Sequence, residues 1–143
     1  VALKNQSIDV IRSFAPEAPL GPAFPKTRKG TVVHLAADSD AVDRRKQWVQ
    51  PGAVVIPRWV ADASLKLEPL APHVMFCALA FNAFNYQDTG VRGFDAVSHL
   101  TTVCNGWQLT YSRLDDAIST LDRLWHQVRE QHEAHPRAHA ENV

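Results

Sequence analysis

Toward the end of the chain Trp107, Tyr111, Leu114, Ile118, Leu121, Trp125 and Val128 recur at alternating spacings of four and three. That period predicts one apolar stripe along one long helix, about Gly106 to Glu133. On the opposite side Arg113, Asp116, Thr120 and Arg123 share helical spacing, with Asp115 beside them. The helix is therefore expected to bury one face and present organised charge on the other.

The same reading predicts three further helices. Ser7 is the expected N-cap of a short helix through Ile8, Val10, Ile11 and Phe14, with Asp9 in the favourable first turn and Pro16 as the stop. Residues 15–30 carry Pro16, Pro19, Pro22 and Pro25 with Gly21, which predicts a loop or extended arm ending in Lys26, Arg28 and Lys29. A second helix is expected from Thr31 or Ser39 to Trp48, closed by Pro51 and Gly52. Ala53, Val54, Val55 and Ile56 form the one good strand candidate. A third helix is expected to open at Glu68 and Pro69, with Leu70, Val74, Cys77, Ala78, Phe81 and Phe84 on one face. Asn85 to Gly106, punctuated by Gly90 and Gly93, reads as a loop of roughly 20 residues. The pattern predicts a mainly all-α fold, an antiparallel four-helix bundle with a minor β element, spanning 1–131 as a single domain. Residues 132–143 read as a disordered polar tail.

Composition narrows the function classes. Of 143 residues 45% are hydrophobic, enough for a real core, while 15 basic and 15 acidic side chains cancel. The chain as a whole lacks the positive field of a typical free-standing nucleic-acid binder, so any such contact has to come from a local cluster. Cys77 and Cys104 form no disulfide framework and no CxxC motif, and both are expected to be reduced thiols. No signal-peptide pattern and no membrane-length apolar run is expected.

Candidate chemistry is sparse. His132, His135 and His139 could hold a metal, but Pro136 interrupts the helix that would align them, and a solvated tail is the expected reading. His34, His73, His99 and His126 are scattered, with no triad spacing among them. Asp115 and Asp116 lie about 100° apart on a helix and form no facing acid–base pair by themselves. Arg28, Lys29, Arg92, Arg113 and Arg123 flank the two irregular stretches, from which they could converge on a phosphate backbone.

From Ile8 to Ile118 the chain resembles the coat proteins of rod-shaped, tobamovirus-like plant viruses. The resemblance is carried by Ile8-Asp9-Val10-Ile11, by Leu20-Gly21 with Phe24 and then Thr31-Val32-Val33, and by Trp48, Pro51 and Arg58-Trp59. It continues through Leu67-Glu68-Pro69-Leu70, Ala83-Phe84-Asn85 and Arg113-Leu114-Asp115-Asp116-Ala117. It implies a non-enzymatic virion subunit in the host cytoplasm, self-assembling into a helical rod around single-stranded RNA, with no membrane contact. It places RNA contacts on Arg113, Asp115 and Asp116, and extends them to Arg28, Lys29, Arg92 and Arg123. It also implies an interface carboxylate at Glu68, where calcium could bind and no other cofactor is expected. A second resemblance, covering Val33-His34-Leu35 and Val54 to Asp62, is to the last half of a BRCT repeat, a phosphopeptide-binding module of DNA repair.

Overall fold

The computed structural model describes residues 1–134, and the chain divides into two compact units, Val1–Val49 and Gln50–Val143. The fold is mixed α/β, with 49% of residues helical, 25% in strands and two three-stranded sheets among the described residues. The mainly all-α four-helix bundle is therefore corrected, because the segments around Val32, Glu68 and Trp107, where helices were expected, are strands.

In the first unit β1 (Ala2–Lys4), α1 (Gln6–Phe14), β2 (Phe24–Thr27) and β3 (Gly30–His34) form an antiparallel sheet of order β1-β3-β2 with one helix. The expected helix α1 is present, with Asn5 at the N-cap position and Ser7 in its first turn. The Ser7 hydroxyl donates to Lys4 O and accepts from Lys4 N, both at 2.8 Å, so it still ties down the helix start. β3 replaces the start of the expected second helix. Thr31, Val32 and Val33 are β-branched, and their stiff side chains suit a pleated surface better than a helix. What remains helical there is short, α2 (Ser39–Asp43) with a 3₁₀ turn (Arg44–Lys46), opened by the Asp38 carboxylate accepting from Asp40 N at 3.0 Å. Val33 is fully buried and Ile8 nearly so, and they form this unit's buried core.

In the second unit β4 (Ala53–Trp59), β5 (Lys66–Leu70), α3 (Pro72–Asn82), α4 (Tyr86–Thr89), α5 (Val91–Val103), β6 (Asn105–Tyr111) and α6 (Leu114–Ala134) follow in order. The sheet runs β4-β6-β5, with β4 parallel and β5 antiparallel to the central β6. Each edge strand carries a proline, Pro57 in β4 and Pro69 in β5, and the central strand carries none. That placement fits a residue with no N–H to give to a ladder. The helix expected at Glu68-Pro69 starts instead at Pro72, where the same proline preference for a first turn applies three residues later. The expected long loop contains α4 and α5. Gly90, at φ +55°, makes the break between them, and Gly93 lies against Thr89 where a Cβ would collide with the hydroxyl.

The terminal stripe is part strand and part helix. Trp107 and Tyr111 are four apart, an even spacing that suits one face of a strand as well as one face of a helix. On α6 the buried arc is Ala117, Thr120, Leu124 and Val128, whereas Ile118 is 38% and Trp125 60% exposed. Thr120, expected on the charged side, is thus inside, and its hydroxyl accepts from Arg123 Nη2 at 3.0 Å. The Trp107 Nε1–H is buried without a hydrogen-bond partner among the described residues. His135, His139 and most of the expected tail lie outside the described residues. No described helix is long and apolar enough to cross a membrane.

Candidate nucleic-acid interface

The residues singled out by sequence fall in both units. In the second, Arg113 sits just before α6 with its guanidinium 3.6 Å from Asp115 Oδ2 and 3.7 Å from Asp116 Oδ2. Two carboxylates around one guanidinium leave a local excess of negative charge, and both acids lie in the first turn of α6, where they complement the helix dipole. This cluster complements the helix start and carries a net negative charge. Arg123 is engaged by Thr120 on its own helix. Arg92 is exposed in the first turn of α5, and Glu68 is exposed on β5 opposite Gln108. Among the described residues no group of three or more His, Cys, Asp or Glu side chains gathers as a metal site.

Arg28 and Lys29 belong to the first unit, where the local context differs. Residues 1–49 hold eight basic side chains (Lys4, Arg12, Lys26, Arg28, Lys29, Arg44, Arg45 and Lys46) and five acidic ones (Asp9, Glu17, Asp38, Asp40 and Asp43). The whole-chain balance of zero conceals this surplus of three, because the second unit carries the matching deficit. Such asymmetry between halves is the electrostatic signature that a single net charge misses.

Strand register places part of this charge on one sheet face. Lys4 and Phe24 both pair with Val32, so all three side chains share a face, and His34, two residues further along β3, joins them. The Phe24 and His34 rings lie 6.1 Å apart at 53°. Phe24 is 48% exposed, and Lys4 and His34 are exposed as well. Val33, with the opposite parity, carries the buried side of the same strand. The outer face of the sheet therefore presents two aromatic rings and a cation.

The β2–β3 hairpin adds three more cations at its tip. Its register shifts between Phe24 and Thr27, and Lys26 within that bulge has φ +58°. A non-glycine residue held in the left-handed region is costly, and such bulges re-aim side chains. Across the turn, Thr27 Oγ1 donates to Gly30 O at 2.6 Å and accepts from Lys29 N at 3.1 Å. Asn5 grips the other side, with Nδ2 donating to Lys29 O at 3.3 Å and Oδ1 accepting from Thr31 N at 3.0 Å. Lys26, Arg28 and Lys29 are exposed and carry no ion pair among the described residues.

Gly30 makes this clamp possible. It sits at φ +84°, and a Cβ there would collide with the Asn5 carboxamide. Gly30→Ala should therefore lower the stability of the first unit by about 1–3 kcal/mol through backbone strain and a displaced Asn5. Faster amide exchange of Thr31 and Val33, with β6 unchanged, would report it.

Sequence reasoning identified Arg28 and Lys29 but missed Lys4, Phe24, Lys26 and His34 as companions. The available signal was strand alternation across Thr31 to His34, obscured by the proline-rich arm before it. No family model matches the chain, and no curated protein or solved structure matches it.

Proposed function

We propose that the first unit is a binding module for single-stranded nucleic acid. Bases would stack on the Phe24–His34 face, and the backbone would be held by Lys4, Lys26, Arg28 and Lys29. The observation that carries this reading is the exposed Phe24 beside unpaired cations on one hairpin. Any base has a π face, so an exposed ring recognises single strands without reading sequence, while cations track phosphates. A duplex hides its base faces and gains only the electrostatic part.

The rod-forming coat protein is not carried into this proposal, because its RNA clamp depends on a four-helix subunit. What is retained is phosphate chemistry at Arg28 and Lys29; Arg113, with its two carboxylates, is not part of the site. The BRCT reading is likewise set aside, since its residues are divided between two units with separate sheets.

The test is fluorescence anisotropy with a labelled single-stranded oligonucleotide. Phe24→Ala should weaken binding about 5–150-fold, the range for removing one base-stacking ring, and Phe24→Tyr should restore it. Equal affinity for duplex and single strand, or an unaffected Phe24→Ala, would reduce the hairpin to a nonspecific basic surface.

A further inference from the structure

Of Lys4, Phe24 and His34 on the outer face of the first sheet, His34 carries the group that ordinarily changes its charge between about pH 5 and 8. Its backbone is held on both sides, by pairing with Ala2 in β1 and by Gly21 N donating to His34 O at 2.8 Å. The ring itself is exposed, 6.1 Å from the ring of Phe24. Phe24 and Lys4 both pair with Val32, so His34 stands two residues, about 7 Å, along β3 from each register position and on the same face. A phosphate flanking a base stacked on Phe24 therefore comes within reach of Lys4 and His34 together.

The charges packed around this position have one sign. β1 brings Lys4 and β2 brings Lys26, while the arm from Ala18 to Gly21 beside His34 carries no ionisable side chain. The nitrogen of Val1, next to Ala2, is engaged by Leu35 O at 2.8 Å. The nearest acidic groups on the neighbouring helices are turned elsewhere: Asp9 lies 3.7 Å from Arg12 on α1, and Asp38 accepts from Asp40 N at 3.0 Å. No ion pair among the described residues involves His34. An imidazolium there is thus left for a ligand's anion instead of a carboxylate of its own unit.

We infer that protonated His34 is a fifth phosphate contact of the single-strand site, so that binding tightens as pH falls. This rests on the reading of the first unit as a single-strand module. A phosphate beside the ring favours the imidazolium, and by linkage the imidazolium favours the phosphate by the same factor. The contact is present on the acid side of the imidazole titration and lost as pH rises through it; the neutral ring still offers a stacking face but adds no charge. Each phosphate contact to a single strand contributes about 0.7 to the slope of log K against log salt. One more contact is then about fivefold in affinity at about 0.1 M salt, and the slope steepens from roughly −2.8 to roughly −3.5.

Anisotropy titrations with labelled oligothymidylate, whose bases do not titrate in this range, test the inference at about pH 5.5 and about pH 8 over a series of salt concentrations. The wild type should bind about fivefold more tightly at the lower pH, with the steeper slope. His34→Gln should bind alike at both, with the shallower slope, and His34→Arg should show the steeper slope at both. His34 is exposed, so circular dichroism of each variant should match the wild type's. A wild type that binds the oligonucleotide with one slope at both pH values overturns the inference and leaves the single-strand site standing. A pH dependence that survives in His34→Gln overturns it as well, because the titrating group would lie elsewhere. Absence of binding at either pH would remove the single-strand site itself, and the inference with it.

Discussion

Met75→Ala is expected to remove about 2–5 kcal/mol from the stability of the second unit, the range for truncating a fully buried methionine. Met75 is 1% exposed and lies over the central strand at the one point where that strand has no side chain. A Cβ on Gly106 would stand 2.6 Å from the Met75 sulfur and 3.3 Å from Leu70 Cβ. Helix α3 is therefore seated on β6 at this thioether, and its removal leaves a cavity that the close-packed strand cannot fill. The unit's other buried apolar side chains among the described residues are few (Val97, Cys104, Leu109, Ala117, Leu124 and Val128), so little else compensates. Urea unfolding followed by tryptophan fluorescence measures the loss. Phe81→Ala, a larger deletion on the same helix, is the contrast: its ring is 94% exposed, and stability should change by less than about 0.5 kcal/mol. A loss below about 1 kcal/mol for Met75→Ala, well short of the range for a buried methionine, would mean that α3 does not rest on the strand.

Replacing Lys26, Arg28 and Lys29 together with alanine should weaken single-strand binding about 100-fold at about 0.1 M salt. Each neutralised phosphate of a single strand contributes a slope of about 0.7 in log K against log salt, so three lost contacts remove roughly two logarithmic units at that concentration. Folding should be spared. The three side chains are exposed and carry no ion pair among the described residues, and the turn is held by Asn5, Thr27 and Gly30 instead. Lys26→Ala keeps a Cβ at φ +58°, so it neither relieves nor adds backbone strain. An unchanged circular dichroism melt with lost binding is the expected pair of results. Unchanged binding would remove the hairpin from the account.

The parts of the fold that were legible in the sequence are those where one signal acted alone. The β-branched run of Val54, Val55 and Ile56 became β4, and the Ser7 to Pro16 punctuation marked α1. Where two periods coincided, sequence failed. Trp107 and Tyr111 satisfy strand and helix spacing equally, and only pairing with β4 and β5 selects the strand. Pro69 and Pro72 both look like helix starts, and sheet pairing of Lys66–Leu70 decides between them. The glycines that suggested a loop between Asn85 and Gly106 serve helix junctions and close packing. For the candidate site, Arg28 and Lys29 were visible as charges, but Lys4, Phe24 and His34 join them only through strand register, which ties β1 to a strand more than 20 positions away. Arg113, Asp115 and Asp116 were visible too, and the structure adds that both carboxylates face the one guanidinium.

The most direct measurement of the central claim is the salt dependence of single-strand binding, for the wild type and the Lys26, Arg28, Lys29 triple alanine variant. Four cations on the hairpin and sheet face (Lys4, Lys26, Arg28 and Lys29) predict a slope of log K against log salt of roughly −2.8 for the wild type and roughly −0.7 for the variant. A wild-type slope near zero, or the same slope in both proteins, would contradict the assignment of this surface to nucleic acid.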